Sequence, residues 1–115
     1  MTDDTDHADE MPAFLQQYYL VFLRKGPIWS GEVTPESTQR QAAHLAYLQA
    51  QYDAGHFLVY GPTDDPTEDL RGVVIMKVDS LETARNIMGG DPHVKIGHLR
   101  VEIMPWWADS RVWRT

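Results

Sequence analysis

The apolar run YYLVFL at residues 18–23 constrains the fold more than any other stretch of this chain. A strand with one face in water alternates apolar and polar residues, whereas a strand covered on both faces is a continuous run rich in β-forming residues. Residues 13–24 are therefore predicted to form a central strand. A fold with such a strand needs helices on one side of its sheet and a second cover on the other.

Two helices are predicted from the residues at their ends. Thr34 can cap the first helix, with Pro35 at its first position, and Gly55 ends it. Ser80 can cap the second helix, and the pair Gly89-Gly90 ends it. The core-facing stripe of the first helix is predicted at three-and-four spacing, over Gln41, Leu45, Leu48 and Tyr52.

Three further strands are predicted, over residues 56–62, 72–79 and 98–105, the last of them stopped by Pro105. The order strand, helix, strand, strand, helix, strand predicts an α+β, ferredoxin-like βαββαβ fold. In this fold a four-stranded antiparallel sheet carries two helices on one face. The other face of the sheet has no helix to cover it. A second copy of the same sheet is the simplest cover, so we predict a homodimer.

The 115 residues suffice for one domain, but their charge is unevenly distributed. Residues 1–10 hold five of the 17 acidic residues and none of the ten basic ones, so the rest of the chain carries a net charge of −2. We expect residues 1–12 to be a disordered acidic tail and residues 13–115 to form the domain, which ends in an aromatic tail. Three tryptophans are expected to seal the dimer or to pack on their own subunit: Trp106, Trp107 and Trp113.

The composition excludes several classes of function. A chain without cysteine has no disulfide, no thiolate nucleophile and no cysteine-ligated metal. No Lys/Arg cluster is suited to following a phosphate backbone, which argues against nucleic-acid binding. No apolar run approaches the roughly 20 residues that span a bilayer, and no secretion signal is evident, so we expect no membrane association and a cytoplasmic location.

The stretch SLETARNIMGGDPHVKIGHLRVEIMPW, residues 80–106, resembles the close of the YciI-like (YCII-related) family. The family's H-L-x-x-L has a counterpart in AHLAYL, residues 43–48, and the second strand ends in GP, as in the family. The resemblance implies a dimeric α/β barrel built from ferredoxin-like halves. It also implies an active site that uses His44 and Asp91. Most members of the family have no assigned reaction, and a minority resemble small-molecule enzymes, for instance in the breakdown of chlorinated aromatics. One departure is His93, which stands where the family usually has tyrosine.

The chemistry of His44 and Asp91 is consistent with that implication. A carboxylate at one nitrogen of an imidazole fixes its tautomer, and the other nitrogen can then act as a general base near neutral pH. Such a pair supports elimination, isomerisation or hydrolysis without a cofactor. The structural alternative is that Asp91 only caps a helical turn before Pro92 and that His44 is a half-buried polar residue beside the apolar stripe.

The remaining candidate residues are expected around a substrate pocket. His93 is expected at the rim of this pocket. Trp29 lies on a glycine-flanked loop that could close over the pocket, and at Gly61 and Pro62 a ligand could approach the backbone closely. His98 is assigned to the polar face of the last strand. Its spacing from Asp91 and His93 matches no established metal-binding motif, so no metal or other cofactor is predicted. The lead hypothesis is a small-molecule enzyme, and the alternative is a non-catalytic ligand-binding or assembly module.

Overall fold

A computed structural model describes residues 12–113 of the chain. The bounds of its elements are β1 Leu15–Lys25, α1 Pro35–Asp53, β2 Phe57–Pro62, β3 Leu70–Met76, α2 Leu81–Gly89, α3 Pro92–Lys95 and β4 Leu99–Asp109. A single 3-10 turn, Ser110–Trp113, follows β4. The acidic tail predicted over residues 1–12 lies outside the described residues except for Pro12.

β1 is a central strand of the four-stranded sheet, whose order is β2-β3-β1-β4. All three pairs of neighbouring strands are antiparallel. Val21 of β1, for example, pairs with Val74 of β3 on one side and with Ile103 of β4 on the other. The predicted α+β, ferredoxin-like fold and the central position of the first strand are both confirmed.

The start of α1 is set by a reciprocal cap. The Thr34 side chain accepts a hydrogen bond from the Ser37 N–H at 3.0 Å, and the Ser37 side chain accepts one from the Thr34 N–H at 2.8 Å. Two of the helix's first N–H groups are thereby satisfied, with Pro35 pre-set for the first turn as predicted. The helix that starts at this cap buries His44 and Leu48.

The hydrophobic core lies between the sheet and the two longer helices. Its fully buried members come from four elements and are Val21, Phe57, Val74, Met76, Ala84 and Met88. The opposite face of the sheet carries no helix in the described part of the chain. Its apolar residues include Leu20, Phe22, Val59, Ile75, Met104 and Trp106, of which Met104 is 58% exposed.

The predicted stripe of α1 was right at Leu48 and wrong at its other three positions. His44 and Leu48 are the buried residues of the helix, whereas Leu45 and Tyr52 are about half exposed. The prediction placed His44 at the flank of the stripe because an imidazole scores as polar. In the structure a buried carboxylate satisfies that imidazole, so the ring can occupy a position at the centre of the buried face.

The predicted end of the last strand at Pro105 was also wrong. β4 continues to Asp109, and Pro105 lies opposite Tyr19 within the ladder. β4 is an edge strand, and an edge strand tolerates a proline because one side of its backbone has no partner strand. The extension carries the chain to Trp113, whose ring meets Tyr18 of the same subunit edge-on at a centroid distance of 5.8 Å.

Candidate active site

The side chains of His44 and Asp91 meet between α1 and the turn that starts α3, although 47 positions separate them in sequence. Nδ1 of His44 lies 2.7 Å from Oδ1 of Asp91 and 2.9 Å from Oδ2. Asp91 is 0% exposed and His44 is 8% exposed. A carboxylate only accepts hydrogen bonds, so Nδ1 carries the proton and the lone pair of the neutral ring is on Nε2.

The free edge of the His44 ring faces a cavity of about 360 Å³ between α1 and the sheet. Within residues 12–113, Nε2 of His44 forms no hydrogen bond, whereas Nδ1 is fully engaged by Asp91. A ring held through one nitrogen, with the other open to a cavity, can exchange a proton with a molecule bound there.

Asp91 also caps α3, so the structural alternative considered for it is part of the arrangement. Its side chain accepts a hydrogen bond from the His93 N–H at 3.4 Å, and its backbone carbonyl accepts one from the Val94 N–H at 3.0 Å. Because the cap already fixes the Asp91 side chain, pairing with His44 requires little further loss of conformational entropy. Capping and pairing are therefore two uses of one carboxylate.

Tyr47 packs behind this carboxylate, one turn along α1 from His44. Its hydroxyl donates a 2.6 Å hydrogen bond to the carbonyl oxygen of Ile87, at the end of α2. Burial raises the pKa of Tyr47, and the negative charge of Asp91 raises it further, so this phenol stays protonated. The bond ties α1 to the segment that leads into Asp91.

Both ring nitrogens of His93 are bound to protein partners. Its Nδ1 accepts a 3.1 Å hydrogen bond from Nε of Arg40, and its Nε2 lies 2.8 Å from Oε1 of Gln41, to which it donates. Burial is the largest cause that lowers the pKa of His93 to about 4, and electrostatic interactions with His44, His98 and Arg40 add to it. His93 is therefore a neutral ring of fixed tautomer, and its ring face rather than a free nitrogen lines the cavity.

Four rings form a continuous row along the cavity wall. The centroid of His93 lies 4.6 Å from that of His44 and 4.6 Å from that of His98. Trp29 stacks on His98 with centroids 4.3 Å apart and planes 22° apart. The row extends from the His44–Asp91 pair to the loop before α1.

The loop that carries Trp29 is bound to the rest of the fold through its backbone. The Gly26 N–H donates to the carbonyl of His98 at 2.9 Å, and the Ile28 N–H donates to the carbonyl of Gly97 at 3.1 Å. These bonds hold Trp29 against His98. The glycines that flank Trp29 suggested a hinge, but these hydrogen bonds restrict the movement of the backbone at Gly26.

The cavity brings together most of the residues singled out in the sequence. His44, His93, Trp29, Gly61 and Pro62 all line it, and Asp91 lies behind His44. His98, Arg71, Gln41 and Tyr60 also line it but were not assigned to a substrate site. His98 precedes β4 and points to the helix-covered side, which the strand alternation could not show.

The His and Asp side chains of this region do not form a metal-ligand cluster. Among residues 12–113, no group of three or more His, Asp or Glu side chains is arranged to hold a metal ion. None of the helices in that same range is long and apolar enough to cross a membrane.

Comparison with known proteins agrees with this fold. The family model for the YCII-related domain matches residues 7–107. The chain belongs to the YCII-related family. No curated protein matches the chain significantly.

Among the matching solved structures is 5-chloro-2-hydroxyhydroquinone dehydrochlorinase (TftG) from Burkholderia phenoliruptrix AC1100, in complex with 2,5-dihydroxybenzoquinone. This YCII-related chain shares 26% sequence identity with it and superposes with a TM-score of 0.53. The match covers 77% of this chain and 92% of the dehydrochlorinase.

Proposed function

We propose that this YCII-related protein is a small-molecule enzyme in which His44 transfers protons and Asp91 orients it. The observation that carries the proposal is the contact of Nδ1 of His44 with both Asp91 oxygens, at 2.7 and 2.9 Å, at the wall of a cavity of about 360 Å³. A cavity of this size is within the usual range for small-molecule sites.

The environment of the pair suits general acid–base chemistry. Asp91 is fully buried, so solvent does not screen its negative charge. That charge stabilises the imidazolium that forms when Nε2 of His44 takes a proton. The neutral His93 ring next to His44 adds no second positive charge that would oppose that protonation.

Among the reactions that such a pair supports, elimination is favoured by the structural relative. Its name describes a dehydrochlorinase, an enzyme that removes HCl from its substrate. In the equivalent step here, Nε2 of His44 takes a proton from a hydroxyl or carbon of the substrate. The electron pair left behind forms the new π-bond as the leaving group departs with its own pair. The substrate and the leaving group of this protein are not carried over from the relative.

Turnover by matched histidine variants tests the proposal. Wild-type protein, His44→Gln and His56→Gln are incubated with a panel of halogenated and hydroxylated aromatic compounds, and halide release and spectral change are followed. His56 is the matched control because it hydrogen-bonds Gln51 and does not line the cavity. We expect turnover by wild type and His56→Gln, and a loss of at least about 100-fold in His44→Gln.

Two outcomes would contradict the proposal. Equal turnover by wild type and His44→Gln would remove His44 from the chemistry. Binding of panel compounds in the cavity without turnover of any of them would support a non-catalytic ligand-binding module instead.

We further propose that the working form is a homodimer joined through the open sheet face. That face combines an apolar area around Leu20, Phe22 and Met104 with an ion-pair network at one end of the sheet. In the network, Arg24 lies 2.7 Å from Glu102 and 3.1 Å from Asp69. An apolar area with a charged rim is typical of a protein interface.

A further inference from the structure

The residues that line the cavity include a cation and no carboxylate. Arg71 is the one lining residue with a permanent charge, and no Asp or Glu of the described chain lines the cavity. The carboxylate of Asp91 is behind His44 and is hydrogen-bonded to it. A partly enclosed cavity with an uncompensated cation attracts an anion.

Two histidines of the cavity wall have lowered pKa values. Burial is the main cause for His98, and electrostatic interactions with Arg40, His44 and Arg71 lower its pKa further. Burial is also the main cause that lowers the pKa of His93 to about 4, with smaller contributions from His44, His98 and Arg40 and an opposing effect of Asp91. A negative group bound in the cavity would oppose these shifts.

The guanidinium of Arg71 has donors to spare. Its side chain forms one hydrogen bond within residues 12–113, at 3.3 Å to the backbone carbonyl of Glu68. The group lies 4.9 Å from the Trp29 ring centroid, which places it at the Trp29 end of the row of rings. Arg24, by contrast, is bound to two carboxylates.

His98 offers a second polar group at the same end of the cavity. It is 8% exposed and lines the cavity, yet neither of its ring nitrogens forms a hydrogen bond within the described residues. A buried polar side chain without a protein partner is usually satisfied by a ligand or by water. The aromatic side chains of Trp29, Tyr60 and His98 line the cavity, which suits an aromatic ligand.

We propose that Arg71, assisted by His98, binds an anionic group of the substrate, so that this site selects small flat anions such as aromatic carboxylates and phenolates. The assignment rests on the enzymatic function proposed above and specifies its substrate class. Arg71 then holds the charged end of the substrate near Trp29, while His44 acts from the opposite end of the row of rings.

Ligand binding by the full-length protein tests this assignment without any need for turnover. Benzoate and 4-nitrophenolate are the anionic probes, and benzamide is the neutral probe that matches benzoate in shape. Calorimetric titrations compare wild type with Arg71→Gln, Arg71→Lys and the control Arg85→Gln. Arg85 is exposed on α2 and lies outside this cavity, so its substitution removes the same charge elsewhere.

We expect both anions to bind the wild type more tightly than benzamide. Arg71→Gln is expected to weaken benzoate binding about tenfold or more, since it removes a charge-assisted hydrogen bond. Arg71→Lys is expected to be intermediate, because it keeps the charge and loses the planar fork. Arg85→Gln is expected to leave the affinity unchanged.

Three results would overturn the assignment. The first is benzamide binding as tightly as benzoate, and the second is an equal loss of benzoate affinity in Arg71→Gln and Arg85→Gln. The third is no binding of either anion below about 10 mM. If Arg71 selects anions but the protein turns over no compound, only the proposed enzymatic function is contradicted. If turnover depends on His44 but binding does not distinguish anions from neutral compounds, only the assignment of Arg71 is contradicted.

Discussion

The Tyr47 hydroxyl occupies the space that a side chain at Gly90 would need. A Cβ added at Gly90 would collide with the hydroxyl and ring carbon of Tyr47, whereas a Cβ at the neighbouring Gly89 would enter open space. Since Gly90 immediately precedes Asp91, the contact between α1 and this turn also limits where the Asp91 carboxylate can lie.

Gly90→Ala is therefore expected to destabilise the protein by about 1–3 kcal/mol, as forced overpacking does. It should also lower turnover, because Tyr47 must move and Asp91 moves with it. Gly89→Ala is the matched control and should leave the free energy of unfolding unchanged or slightly raised. Urea unfolding of both variants measures this, and equal stability of the two would show that the Tyr47 contact is not tight.

Substitutions of Asp91 separate its two uses. Asp91→Asn keeps an acceptor for the cap but no longer supplies a negative charge to His44, so kcat/KM should fall about 100-fold. Asp91→Ala loses the cap as well and should unfold more easily than Asp91→Asn by about 1 kcal/mol. Steady-state kinetics and urea unfolding on the same preparations check both expectations. If Asp91→Asn turned over like wild type, the carboxylate would be a cap and nothing more.

The free energy of unfolding should depend on pH through the protonation of His93. Its pKa is about 4 in the folded protein and near 6.5 in an unfolded chain, so the unfolded state binds more protons between these values. The free energy of unfolding should therefore fall as the pH is lowered from about 6.5 to about 4. Urea unfolding at a series of pH values should show a shallower fall in His93→Gln than in wild type. A fall of the same steepness in the two proteins would assign it to other groups.

Gly26 should resist substitution for a backbone reason. A Cβ at this position would collide with the carbonyl group of Gly97, whereas one at Gly31, further along the loop, would meet nothing. Gly26→Ala is expected to separate the two backbones, to loosen Trp29 from His98 and to cost about 1–3 kcal/mol. Gly31→Ala should cost much less. Thermal unfolding compares them, and identical midpoints would show that the loop can shift without cost.

The open sheet face gives a prediction for assembly. The 13.2 kDa chain should have twice that mass in solution by light scattering. Met104→Asp places a charge in the apolar area of the face and should produce monomers, whereas Ile96→Asp alters a similarly exposed residue outside the sheet and should not. A monomeric wild type would contradict the proposed dimer.

The sequence by itself determined the order of the elements and most of their ends. Caps such as Thr34 and Ser80 act on N–H groups three residues away, and a run such as residues 18–23 carries its burial in its own composition. The family motif also led to His44 and Asp91 before their contact was known. Local rules were wrong at Pro105, because only the sheet order shows that β4 is an edge strand.

Tertiary structure alone decided the chemistry around that pair. The partners of His93 come from α1, up to 53 positions away, and they set its tautomer, whereas burial is the main cause of its lowered pKa. The positions of His98 and Arg71 at one cavity likewise follow from how β3 and β4 pack beside α1. Such properties depend on distances between groups that are remote in sequence, and no local pattern encodes those distances.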